Sequence, residues 1–105
     1  MELKCVIAVV RPEVLKDLER RLGALHIHGI TVTDVRGFGV HPNVFANDWT
    51  TRHIKIEIFT TADNVDVLSK TIMSVANECS GEDGIVAVLP VDRFWRVRTA
   101  AESAP

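Results

Sequence analysis

A chain of 105 residues with 47% apolar and 25% charged side chains has the length and composition of one compact domain. That excludes an enzyme with a separate cofactor domain, a disordered segment and a disulfide-built miniprotein. Twelve basic against fourteen acidic side chains leave a formal charge of -2, so the chain carries no basic footprint for a nucleic acid or an anionic membrane.

Leu3 to Val10 is a mostly apolar, β-branched run, the pattern of a strand covered on both faces. It is too short to span a bilayer and no small-residue cleavage site follows it; Cys5 and Cys79 form no CxxC pair and read as reduced thiols, so a cytoplasmic protein is expected. Pro12 suits a first helical turn, and Val14, Leu15, Leu18, Leu22 and Leu25 follow at helical spacing, predicting an amphipathic helix from Pro12 to about Leu25. His26-Ile27-His28-Gly29 turns the chain into a second strand, Ile30 to Arg36. Gly37-Phe38-Gly39 ends that strand, and a loop of about residues 38–52 without periodicity follows; a connection of that length inside a compact domain tends to be functional.

His53 to Phe59 alternates strictly, with Ile54, Ile56 and Ile58 on one face. Asp63 or Asn64 is positioned to cap a second helix in which Leu68, Ile72, Val75 and Cys79 recur at helical intervals. Ile85 to Leu89 reads as a buried-type strand, Pro90-Val91-Asp92 as a bend, Arg93 to Thr99 as a short extended segment, and 100–105 as a frayed tail. Strand, helix, strand, loop, strand, helix, strand is the order of an α+β, ferredoxin-like βαββαβ sandwich over residues 1–99, with an extra C-terminal strand. Both helices then cover one face of the sheet. The other face, bearing Cys5, Ile7 and Val9 or their alternates, needs another cover, which predicts a homo-oligomer.

Two constellations carry possible chemistry. Gly37, Phe38 and Gly39 with Gly84, Arg96 and Arg98 outline a phosphate pocket, because glycine lets backbone amides approach an anion and arginines two apart on a strand share a face. Glycines beside a long loop also serve as plain hinges, and paired arginines also make solvated strand faces. His41 and His53, with the His26/His28 pair, admit a metal site, although no HExxH or CxxC spacing accompanies them. Within the loop, His41, Phe45, Trp49 and Arg52 are candidate partner contacts; Trp49 serves either as an anchor for a partner or as a lid on its own scaffold. No nucleophile stands beside a base, so a non-enzymatic role is expected.

The segment Gly29-Ile30-Thr31-Val32-Thr33-Asp34-Val35-Arg36-Gly37-Phe38-Gly39, the opening strand ending in Val9-Val10-Arg11-Pro12, the strand Lys55-Ile56-Glu57-Ile58, the Asp83-Gly84 turn and Arg96-Val97-Arg98-Thr99 together resemble the PII signal-transduction family. The likeness covers about residues 1–99 and is that of a divergent, PII-like member with a shortened T-loop. It implies a homotrimer that regulates a partner, such as a membrane transporter or an enzyme, through its loop, in response to a small effector held between subunits. By family position, Gly29, Thr31, Glu57 and Phe59 surround adenine and ribose, Gly37, Phe38 and Gly39 approach the phosphates, and Arg96 and Arg98 bind them from a neighbouring chain. ADP, AMP or ATP is the implied effector, with no required cofactor, no nucleic acid and no membrane insertion; a metal-responsive trimer using the loop histidines is the alternative. Three departures accompany the likeness. The chain has no tyrosine to be uridylylated, Val40-His41 and His53 replace the usual Arg-Gln and Lys, and Ile85 follows Asp83-Gly84 where the family has lysine.

Overall fold

The computed structural model of the chain describes residues 2–27, 29–37, 51–79 and 84–105. The nearly continuous apolar opening run makes β1, Leu3–Val10, the inner strand between β3, Thr51–Thr61, and β4, Ile85–Val91. With β2, Ile30–Gly37, they form a sheet in the order β2-β3-β1-β4, in which every neighbouring pair is antiparallel. Helices α1, Leu15–Ala24, and α2, Val65–Cys79, each connect two strands that are separated by a third. This is the split βαβ arrangement of the ferredoxin-like sandwich.

The core follows from period matching. Val6, Ala8 and Val10 of β1 and Ile54, Ile56 and Ile58 of β3 point to one side, where Leu18 and Leu22 of α1 and Leu68, Ile72 and Val75 of α2 meet them, and all are buried. Each valine, leucine or isoleucine among them contributes about 1.5–3 kcal/mol by leaving water. Among the described residues no helix covers the opposite face. Cys5 there is only 6% exposed, but its neighbours across the ladder, Phe59 and Leu89, are 42% exposed each, and Ile85 is 62% exposed.

Both helices begin differently from the sequence expectation. Each is entered through a 3-10 turn, Pro12–Val14 before α1 and Ala62–Asn64 before α2, and the residue ahead of the second turn is Thr61, with no side-chain cap bond. Asp63 and Asn64 therefore lie inside that turn and do not cap α2; the Asn64 amide reaches back to Thr61 Oγ1 at 3.4 Å. β4 runs through Pro90, where a bend was expected. As an edge strand it has one side free of ladder bonds, so proline's missing N–H is tolerated there. β3 begins at Thr51, so Arg52 belongs to the strand and not to the loop: it lies opposite Arg36, and its guanidinium is 3.8 Å from Asp34.

The C-terminal segment departs most. Trp95–Arg96, β5, pairs with Ala101–Glu102, β6, through a turn in which Ala100 N–H bonds Val97 O at 3.2 Å. Residues expected to fray instead return along the chain because Ser103 N–H donates to Phe94 O at 2.9 Å and Arg93 meets Glu102 at 2.6 Å. Among the described residues no helix is long and apolar enough to cross a membrane.

Candidate functional site

At the end of the sheet where β2 begins and β3 ends lies a cavity of about 790 Å³. Its walls come from the α1–β2 connection, the first residues of β2, the last of β3, the first turn of α2 and the C-terminal hairpin, including Leu25, Ile27, Gly29, Thr31, Phe59, Asn64, Val67, Phe94, Arg96 and Pro105. The α1–β2 wall is fixed by a Schellman motif: Ile27 N–H bonds Leu22 O and His26 N–H bonds Gly23 O, both at 3.0 Å. His26 takes the left-handed position at φ 60°, where glycine is the usual residue. Ile27 then folds back onto the core cluster that contains Leu22. His26 is thus a helix-ending residue as well as part of the cavity wall.

The hairpin wall is held by aromatic packing. The rings of Phe94 and Phe59 lie 5.5 Å apart at 52°, and the Arg96 guanidinium sits 5.6 Å from the Phe94 ring centre. The result is a recess of mixed polar and apolar lining with two phenylalanine rings and one guanidinium at its wall, suited to a ligand with a flat body and an anionic end.

Four of the residues singled out in the sequence, Gly29, Thr31, Phe59 and Arg96, line this one cavity although 67 positions separate the first from the last. Glu57 lies one row further along the same open face, opposite Thr31 and Ile7, with Lys55 at 3.9 Å, and does not line it. Arg98 is in the exposed turn of the hairpin, so the two arginines do not project together from one extended strand as expected. Gly37 and Gly84 lie at the opposite end of the sheet. Six residue steps along β2 separate Thr31 from Gly37, about 20 Å, so within one chain Gly37 and Arg96 do not meet. A Cβ on Gly37 or Gly29 would find nothing within 4 Å, whereas one on Gly84 would press to 3.1 Å from Val9 O. A side chain at Gly84 would therefore crowd the backbone of β1, and among the described residues none fills the space beside Gly37 and Gly29.

Phe38, Gly39, His41, Phe45 and Trp49 lie outside the described residues, as does His28. His53, paired with Val35, is 7% exposed on the open face. Among the described residues no three His, Cys, Asp or Glu side chains gather in a way that would hold a metal ion. The wall residues that the sequence did not announce, Phe94 and Asn64 above all, sit on segments read as extended chain and cap. A Phe two residues before an Arg at the chain's end was the available signal.

The family model for nitrogen regulatory protein P-II matches residues 3–101. The chain belongs to the P-II family. P-II 2 of Methanothermobacter thermautotrophicus is 33% identical over 104 residues, covering 92% of this chain and 90% of that protein. P-II 1 of Escherichia coli K12 is 33% identical over 108 residues, covering 95% and 96%. The crystal structure of Arabidopsis thaliana PII bound to citrate superposes with a TM-score of 0.84 at 34% identity, covering 97% of this chain and 89% of that one. The P-II assignment agrees with the ferredoxin-like order of elements derived from the sequence and marks the chain as one of a family of regulatory proteins.

Proposed function

We propose that this P-II protein is a non-enzymatic cytoplasmic sensor that binds an adenine nucleotide, ADP, AMP or ATP, in clefts between the subunits of a homotrimer and regulates a partner through the loop that follows Gly37. The observation that carries the reading is the division of the expected site into two halves. Gly29, Thr31, Phe59 and Arg96 share one cavity, while Gly37 and Gly84 stand at the far end of the same sheet. A neighbouring chain that brings its Gly37 end to this cavity completes a pocket with an apolar floor for the base and amides and guanidinium for the phosphates. The apolar face bearing Ile7, Phe59, Ile85 and Leu89 supplies the surface for that association. The Arabidopsis relative is bound to citrate, a small polyanion.

Ile85 in place of the family lysine removes one charge-assisted hydrogen bond of about 1.5–3 kcal/mol, so the expected nucleotide affinity is about one to two decades below that of a lysine-bearing site. The loop is attached where the phosphates are expected, and the effector shifts its state only through unequal affinity for the two loop arrangements. The partner expected at the loop is a membrane transporter or a regulated enzyme. Titration calorimetry with ATP, ADP and AMP, run beside sedimentation analysis, tests the reading: heat of binding at one site per subunit is expected, and a trimer that gives no heat at millimolar nucleotide overturns it.

A further inference from the structure

Besides the packing of Phe94 on Phe59 at the cavity wall, the C-terminal hairpin is held by contacts outside the cavity. Arg93 is clasped between two groups, its Nε 2.6 Å from Glu102 Oε2 and its guanidinium carbon 4.5 Å from the Trp95 ring centre. Immediately after Glu102, Ser103 N–H closes back onto Phe94 O at 2.9 Å. The ladder itself has only two residue pairs, Trp95 with Glu102 and Arg96 with Ala101. A two-stranded hairpin of that size has no stability of its own in water. Its turn also contains Ala100 at φ 53°, a conformation that an L-residue with a Cβ adopts at a cost. Something besides the ladder must therefore keep β5 in place, and β5 is the element that carries Arg96 to the cavity wall.

We propose that Arg93 and Glu102 form a latch that positions Arg96 for the effector, so that two residues outside the cavity set the affinity of the site within it. This rests on the functional reading given above. The chain of contacts is short: Glu102 fixes Arg93 and the start of the return strand, Ser103 then fixes Phe94 through its carbonyl, and Phe94, seated on Phe59, supports the Arg96 guanidinium. Breaking the ion pair frees β6, and Arg96 then samples positions away from the wall, so the effector binds only the fraction of molecules with the hairpin closed. The pair is more than half exposed at Arg93 and half exposed at Glu102, which keeps the effect modest and makes it sensitive to salt.

The test combines ADP calorimetry with amide exchange of the unliganded protein, on the wild type, Glu102→Gln, Arg93→Ala and the exchanged pair Arg93→Glu with Glu102→Arg. Each single variant is expected to weaken ADP binding about three- to fivefold and to speed exchange of the Ser103 amide, and the exchanged pair is expected to recover most of both. Single variants with wild-type affinity and wild-type Ser103 exchange overturn the latch, as does weakened binding that the exchanged pair does not restore. A wild-type protein that takes up no ADP counts against the nucleotide reading. In that event Ser103 exchange decides the latch alone: faster exchange in Glu102→Gln upholds it, and unchanged exchange overturns it.

Discussion

The two faces of this sheet are made from the same kind of residue and have opposite fates. On the helix side Val6, Ala8, Val10, Ile54, Ile56 and Ile58 are buried by the chain's own helices. On the other side Ile7, Val9, Phe59, Ile85 and Leu89 are covered by no helix among the described residues, and Ile85 is 62% exposed. Alternation in a strand sorts residues into faces but does not say what covers each face. One face is a matter of folding and the other a matter of association, and the two respond differently to substitution.

The largest expected effect lies on the covered face. Leu22→Ala removes a fully buried side chain of the core cluster against which Ile27 packs, and should cost about 2–5 kcal/mol, read as a fall in the urea midpoint without a change in slope. Leu89→Asp, on the uncovered face, should yield solitary subunits in sedimentation that keep the far-ultraviolet signature of a folded chain, with a urea midpoint lowered by the lost association and independent of protein concentration; an intact trimer would show that this face is not the association surface. Between the faces, Gly84→Ala should cost about 1 kcal/mol through its contact with Val9 O, whereas Gly37→Ala should leave chain stability unchanged while weakening any ligand that approaches its backbone. His26→Gly should stabilise the chain by up to about 1 kcal/mol, since a left-handed residue with a Cβ is replaced by one without, visible as a rise in melting temperature.

The smallest effect is one of pH. Burial first, and the nearby Glu57 carboxylate second, hold the Cys5 thiol above its ordinary value of 9.0. The folded chain therefore keeps this proton when the unfolded chain has lost it. The stabilisation is fully present below about pH 9, and is lost as pH rises toward and through the folded value. Denaturation midpoints at pH 8 and pH 10.5 should fall further in the wild type than in Cys5→Ala. Cys79, also raised, through its 3.4 Å hydrogen bond to Asp17, is common to both proteins and cancels.

The fold was readable because its signals are local. The 3.6-residue spacing of Leu18 and Leu22, the strict alternation from Ile54 to Ile58 and the glycine at 37 each act within a few residues. The site was readable in part. Gly29, Thr31, Phe59 and Arg96 were singled out and do come together, but Phe94, Asn64 and Pro105 were not, because nothing in a sequence states that a terminal segment will turn back on itself. The frayed tail was misjudged for the same reason: a two-residue ladder, an ion pair across nine positions and one backbone bond are too sparse to leave a pattern.

The sequence by itself determined the order of elements, the side of each helix that faces the sheet and the family to which the chain belongs, since periodicity and motif are properties of neighbouring residues. Only the tertiary structure decided that Arg96 shares a cavity wall with Gly29 and Thr31, at the end of β2 away from Gly37. It also decided that a side chain at Gly84 would crowd Val9, and that Arg93 and Glu102 close the hairpin. Those facts depend on strand register and on contacts between distant segments, which are fixed by how the core packs as a whole and not by any stretch of chain read alone.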